Sequence, residues 1–293
     1  MMVGLAPRWL IEDVRLAKQN KCSDRTDHVT DLLAHYRLFT VCQSARCPNR
    51  GECFSNHTAT FLILGDICTR SCAFCAIECG KTPGPLDEGE SARLAQAVND
   101  LNLLHVVITS VTRDDLPDGG AYHYARVVET LRQNCPGVKI ELLVPDFAGS
   151  ENALAKVLSS RPDVLSHNLE TVPRLYPIVR KGAVYARSLN LLKKVKTISE
   201  KIVTKSGLML GLGENNEEVE SVLGDLRDAD CDMLTLGQYL APSFEHATVA
   251  RYLTRSEFGL WNDKARKMGF KSVASGPLVR SSYKAAACFG GMR

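Results

Sequence analysis

Along this chain of 293 residues, short apolar runs of strand length give way to amphipathic stretches of helical period, and the exchange repeats. Runs rich in Val, Ile, Leu or Thr and closed by polar or Gly/Pro residues predict strands at Thr60–Leu64, Leu104–Ser110, Lys139–Val144, Val164–Asn168, Ile202–Leu210 and Met233–Tyr239. Helical periodicity falls at Ser91–Leu101, Ala121–Asn134, Glu151–Ser159, Val172–Val179, Ala186–Ser199, Glu217–Ala229 and Arg255–Met268. A repeated βα order implies parallel strands joined by right-handed crossovers. Six such units fall short of the eight that close a complete barrel, so the expected fold is α/β, either an open curved sheet or a partial (βα)6 barrel. In both, chemistry gathers where strands hand over to loops.

Residues 1–57 precede the first predicted strand and residues 270–293 follow the last predicted helix; both read as extensions packed on a core spanning 58–269. Residues 1–40 offer only an amphipathic helical tendency. Apolar residues make up 45% and charged residues 24%, enough for a sizeable core. No apolar run approaches a membrane span, and Met1–Leu10 lacks the basic start and apolar core of a secretory signal, so the expected location is cytoplasmic.

That location changes the meaning of the 11 cysteines, because cytosolic thiols stay reduced and clustered spacing then favours metal ligation over disulfides. Six of them form two triplets, Cys42-x4-Cys47-x5-Cys53 and Cys68-x3-Cys72-x2-Cys75. A cubane iron–sulfur cluster has four irons, so three thiolates leave one iron open to a small molecule or a replaceable ligand. Zinc is the alternative, but zinc sites of this size pair C-x2-C motifs to reach four ligands, and no second pair lies near the second triplet. Cys22, Cys79, Cys135, Cys231 and Cys288 fall outside the triplets, with Cys79 and Cys288 as rival fourth ligands. The net charge of +3 carries no nucleic-acid signature. Lys264 to Arg293 nevertheless holds seven basic residues and no acidic one, which is either a solvated tail or a rim for an acidic protein partner.

The second triplet, with Phe74 before its last cysteine and a strand just upstream, resembles the radical S-adenosylmethionine (SAM) superfamily signature. That resemblance implies a partial (βα)6 barrel of the radical SAM type, with Cys68, Cys72 and Cys75 holding a [4Fe-4S] cluster whose open iron chelates SAM. Two further motifs narrow it: the first triplet on an N-terminal extension and Arg280-Ser281-Ser282-Tyr283 near the end together resemble the lipoyl synthase family, over roughly Cys42 to Ala285. In that family a second, auxiliary [4Fe-4S] cluster is held by residues matching Cys42, Cys47, Cys53 and Ser282. The implied reaction inserts two sulfur atoms at C6 and C8 of an octanoyl chain, using two SAM and the sulfides of the auxiliary cluster. An alkyl radical needs a neighbouring sulfur before it is quenched, so proximity would set its fate. Implied partners are an octanoylated lipoyl carrier domain, of an acyltransferase subunit or of glycine cleavage H protein, and an electron donor such as ferredoxin or flavodoxin.

His167-Asn168-Leu169-Glu170-Thr171 resembles a family segment that approaches SAM, which implicates Asn168 and Glu170; Phe74 and Arg187 complete the expected SAM contacts. Thr109–Asp115 reads as a polar loop or as a further SAM neighbour, and Gly207, Gly211 and Gly213 as a close backbone approach to SAM rather than a G-x-G-x-x-G fingerprint. The alternatives to sulfur insertion are a radical SAM enzyme whose auxiliary cluster relays electrons or anchors substrate, and a non-catalytic iron–sulfur or zinc protein.

Overall fold

The computed structural model describes residues 6–19, 23–55 and 58–292, so Cys22, Arg293 and the first five residues of Met1–Leu10 lie outside it. Each of the six predicted strands is present, at Thr60–Ile63, His105–Ser110, Lys139–Leu143, Val164–Ser166, Val203–Leu210 and Met233–Gln238. The chain groups into two compact units: residues up to Arg15, Ser71–Cys75 and from Ser166 on form one, and Leu16–Arg70 with Ala76–Leu165 form the other.

In the latter unit Thr60–Ile63 pairs in parallel with His105–Ser110, which pairs in parallel with Lys139–Leu143. All four residues of Thr60–Ile63 are buried, as expected of a parallel strand covered on both faces. The helix Ala121–Asn134 turns Tyr124, Val127, Val128 and Leu131 inward, a stripe at helical spacing. A short strand missed by the pattern, Phe39–Thr40, adds antiparallel to Thr60–Ile63. Two residues are too few to show a period.

In the other unit Val203–Leu210, Met233–Gln238 and Ser272–Gly276 pair in parallel. Ser272–Gly276 is a correction, since residues from 270 on were expected as an appendage; its Ser, Ala and Gly content hid a strand that tertiary pairing imposes. Its helices start on strong caps: Asn215 and Thr254 each form a capping box with the glutamate three residues on, Glu218 and Glu257. The stretch expected as one helix over Val172–Val179 divides into a 3-10 turn, Pro173–Leu175, and a short helix, Tyr176–Val179. Pro at helix starts fits, because the missing N–H is one that a first turn leaves unpaired. Among the described residues no helix is long and apolar enough to cross a membrane.

Candidate active site

The strand Thr60–Ile63 does not run smoothly into its cysteine loop. Leu64 and Gly65 both take left-handed backbone (φ 69° and 92°), a turn that is costly for leucine. Three contacts hold it: the Leu64 N–H donates to Glu90 Oε2 (3.1 Å), the His123 imidazole Nε2 bonds that same oxygen (2.7 Å), and Arg113 Nη1 donates to the Leu64 carbonyl (3.1 Å). Gly120, itself left-handed, closes over the turn, and a Cβ there would run into Leu64 Cδ1.

Beyond the turn, Ile67–Cys68 pairs in parallel with Glu78–Cys79. Cys68 Sγ accepts two backbone N–H groups, from Arg70 (3.4 Å) and Thr112 (3.3 Å). N–H donors aimed at sulfur are what a ligating thiolate of an iron–sulfur cluster takes. Cys79, placed opposite Cys68 in register, is exposed.

Cys72 and Cys75 belong to the segment Ser71–Cys75, which joins the other unit. There the Ala73 N–H donates to the Val179 carbonyl (2.9 Å) and the Ala247 N–H to the Ala73 carbonyl (2.7 Å). His246 Nε2 donates to the Cys75 carbonyl (3.1 Å), which leaves Nδ1 to accept from Ser243 Oγ (2.8 Å). Phe74 packs against the buried cluster that contains Leu169, Leu208 and Leu236. Its ring is therefore anchored in core, whatever its edge offers to a ligand.

The first triplet is built locally. Thr40 caps the one-turn helix Val41–Ser44, which carries Cys42; the Cys47 N–H closes back on the Cys42 carbonyl (3.1 Å), and Cys53 sits on the helix Arg50–Ser55. Burial pushes the Cys42 thiol up to about 11, with Cys47 adding to the rise. A bound metal reverses that preference, because a coordinated thiol is deprotonated outright. Among the described residues no three Cys, His, Asp or Glu side chains are gathered into a group that could hold a metal ion.

The His167–Thr171 segment lies alongside the strand Val203–Leu210. Glu170, in left-handed backbone (φ 67°), receives a hydrogen bond from Asn168 Nδ2 to its Oε1 (3.0 Å). Burial raises the Glu170 pKa, while Arg180 and Asn168 oppose the rise. Asn168 Oδ1, Ser166 Oγ and Thr171 Oγ1 are buried without a hydrogen-bond partner. Buried polar atoms are nearly always paired, so orphans concentrated in one short segment fit a ligand that supplies donors. Gly207 leaves the room they need: a Cβ there would stand 3.1 Å from Asn168 Oδ1 and 2.5 Å from Thr235 Oγ1.

Arg180 was not singled out in the sequence, yet its guanidinium reaches Tyr176 Oη (2.9 Å), Ser188 Oγ (3.1 Å) and His167 Nε2 (3.4 Å) and acts on the charge of Glu170. An arginine at the end of a short helix carries no spacing signal. Arg187 instead lines a surface cavity of about 600 Å³ with Asn190, Lys193, Asp225 and Asp228, and neither Asn168 nor Glu170 lines it. The glycine-rich loop is accounted for by the chain itself. Gly211 and Leu212 donate their N–H groups to Glu214 (2.5 and 2.9 Å), and a Cβ on Gly211 would strike the Arg251 carbonyl.

At the other end of the sequence, Arg280–Tyr283 makes a tight turn, with the Tyr283 N–H on the Arg280 carbonyl (2.9 Å) and Ser282 half-buried within it. Gly237 admits the Val279 carbonyl where a side chain would stand. Cys288, half-buried, lies on the following helix Ala285–Gly290.

A model of the radical SAM superfamily matches residues 62–226. Solved structures with this fold include a maturase of the [FeFe]-hydrogenase, at TM-score 0.57 and 10% identity over 90% of this chain and 65% of that one. Another is methylornithine synthase, at TM-score 0.50 and 16% identity over 82% and 67%. The fold and the cysteine loop thus define a radical SAM enzyme: an α/β, partial-barrel protein that uses SAM and [4Fe-4S] clusters.

Full-length relatives take the assignment further. A lipoyl synthase of Caldanaerobacter subterraneus subsp. tengcongensis is 56% identical over 95% of both chains, and one of Caldicellulosiruptor saccharolyticus is 53% identical over 97% of this chain and 98% of its own. A lipoyl synthase of Aquifex aeolicus is 55% identical over 88% and 93%. The chain belongs to the lipoyl synthase family and is a sulfurtransferase of the radical SAM type.

Proposed function

We propose that this enzyme completes the lipoyl cofactor on a protein-bound octanoyl chain, with Cys68, Cys72 and Cys75 holding the SAM-binding cluster and Cys42, Cys47, Cys53 and Ser282 holding the auxiliary one. The observation that carries the reading is the pair of three-thiol sets in one chain, each short of the four ligands that close a cubane. When bound, SAM and the two clusters supply a hydrogen-abstracting radical and the sulfur that enters the substrate, chemistry no side chain provides.

The chain's own residues bind, orient and shield. Asn168 and Glu170 present oxygen acceptors for the amino and ribose donors of SAM, and Gly207 keeps that wall free of side chain. Arg180, held by Tyr176 and Ser188, fixes the charge beside Glu170. The Cys68 sulfur is oriented by its two N–H donors. Serine suits the auxiliary role because an alkoxide is a hard, readily protonated donor that releases iron more easily than thiolate does. Phe74 is the remaining proposed SAM contact, while Arg187, expected as another, lines a cavity without Asn168 or Glu170.

The carrier is an octanoylated lipoyl domain, from an acyltransferase subunit or from glycine cleavage H protein. Ferredoxin or flavodoxin supplies the electrons, in a cytoplasm that keeps the thiols reduced. Anaerobic incubation of the reconstituted enzyme with SAM, reductant and an octanoylated carrier peptide tests the proposal by mass spectrometry. A product carrying two added sulfurs, with two deoxyadenosines per product, is expected. Deoxyadenosine without any sulfur transfer would mean that the auxiliary cluster relays electrons or anchors substrate instead.

A further inference from the structure

The two N–H groups on Cys68 Sγ come from segments far apart in sequence, Arg70 and Thr112. Both reach one sulfur only if residues 68–70 and 112–114 are held in fixed register. The backbone hold is direct: Thr69 donates through its N–H and its Oγ1 to the Thr112 carbonyl (3.0 Å each), and the Asp114 N–H donates to Thr69 Oγ1 (3.0 Å).

Arg70 reinforces that hold from its side chain. Its Nε and Nη2 form a fork on the Asp114 carboxylate (2.6 and 2.8 Å), and Nη2 also donates to Asp146 Oδ1 (2.7 Å). The Arg70 side chain is 9% exposed and that of Asp146 not at all. Asp146 is held in turn, because the Ala148 N–H donates to its Oδ1 (3.1 Å). Taking a guanidinium and a carboxylate out of water costs most of what their attraction returns, so such a brace is weak as a stability device. Its location accounts for it better. Arg70 follows Cys68 by two residues, and Asp114 follows Thr112 by two, so the fork ties together the two segments that carry the N–H donors.

We infer that Arg70, clamped by Asp114 and Asp146, is a positioning residue for the SAM-binding cluster: it holds the Arg70 and Thr112 N–H groups on the Cys68 sulfur and so sets that cluster's reduction potential. The inference rests on the reading of Cys68 as a ligand. Reduction adds negative charge to the cluster, and N–H donors favour the more negative state, so loosening them lowers the potential. Lysine keeps the charge but lacks the planar fork, so it cannot bridge Asp114 and Asp146 in the same way.

The test uses full-length enzyme in which Cys42, Cys47 and Cys53 are replaced by Ala, so that a single cluster loads, and compares Arg70→Lys, Arg70→Gln and Asp146→Asn with that parent. Iron content, a redox titration followed by electron paramagnetic resonance, and SAM cleavage are measured. Iron is expected to stay, the midpoint potential to move lower in all three, and cleavage to fall about ten- to hundredfold in the Arg70 variants, the range for residues that support metal ligands. An unchanged potential in the iron-loaded variants overturns the inference. Should Arg70→Gln lose its iron, Arg70→Lys, which keeps the charge but not the planar fork, decides by the same criterion. A Cys68→Ala protein that keeps its cluster and spectrum would instead overturn the ligand reading, whatever the Arg70 variants do.

Discussion

Ser282 is the proposed ligand that rests on resemblance alone, through the Arg280-Ser281-Ser282-Tyr283 motif. A serine pair is ordinarily a turn or a cap, and the tight turn around Arg280 and Tyr283 is compatible with that simpler role. The two roles separate in a kinetic experiment. Ser282→Ala is expected to abolish most sulfur transfer while leaving SAM cleavage largely intact, read as product and deoxyadenosine from the same reaction; wild-type product formation would remove Ser282 from the ligand set. Gly120 makes a purely conformational counterpart. Its left-handed backbone and its closure over Leu64 forbid a Cβ. Gly120→Ala should lower the unfolding free energy by at least about 1–2 kcal/mol, the usual penalty of a left-handed L-residue, measured as the urea midpoint.

At the level of elements, strand ends do most of the positioning. Asp232, just before Met233–Gln238, accepts from Lys196, Lys271 and the Thr204 N–H (2.9 Å), and so ties together a helix and the starts of three parallel strands. Burial alone would raise its pKa, but the two lysines and the N–H outweigh it, so its carboxyl titrates below the ordinary range. A depressed pKa contributes stability above the unfolded value, near 3.9, and loses it as pH falls through the folded value. Asp232→Asn should therefore cost about 1–3 kcal/mol at neutral pH, discounted for the exposed Lys271 head, and the gap from wild type should close in acid. A gap that stayed constant with pH would show that shape rather than charge matters there.

These same strand ends explain what could be read ahead of the structure. The six main strands declare themselves because continuous Val/Ile/Leu runs are what doubly covered parallel strands require. Ser272–Gly276 is silent because its small residues take their strand form from Met233–Gln238 rather than from propensity. Cysteine spacing likewise marks the two three-thiol sets, since short intervals let neighbouring thiols reach one cluster, whereas Ser282, far away in sequence, shows no such signal. The Arg70 brace could not be read, because Asp114 and Asp146 lie 44 and 76 residues away, and Arg180, though its partners Tyr176, Ser188 and His167 are near in sequence, falls in no spacing that marks it out. Asn168 and Glu170 stood between these cases: resemblance picked them out, and only coordinates reveal their mutual hydrogen bond and the orphaned Asn168 Oδ1.

In the molecule as a whole, two iron–sulfur clusters have different fates, one kept and one dismantled. Within the basic run near the C-terminus, Lys264 pairs with Glu220 and Lys271 with Asp232. What distinguishes this enzyme from a radical SAM protein that merely carries a second cluster is the origin of the inserted atoms. The most direct measurement reconstitutes both clusters with 34S-sulfide, removes free sulfide, and follows a single turnover on an octanoylated carrier peptide by mass spectrometry. Two 34S atoms in each lipoyl product, with matching loss of auxiliary-cluster sulfide, is the result expected. Unlabelled sulfur in the product, or a labelled auxiliary cluster that survives turnover intact, would contradict it.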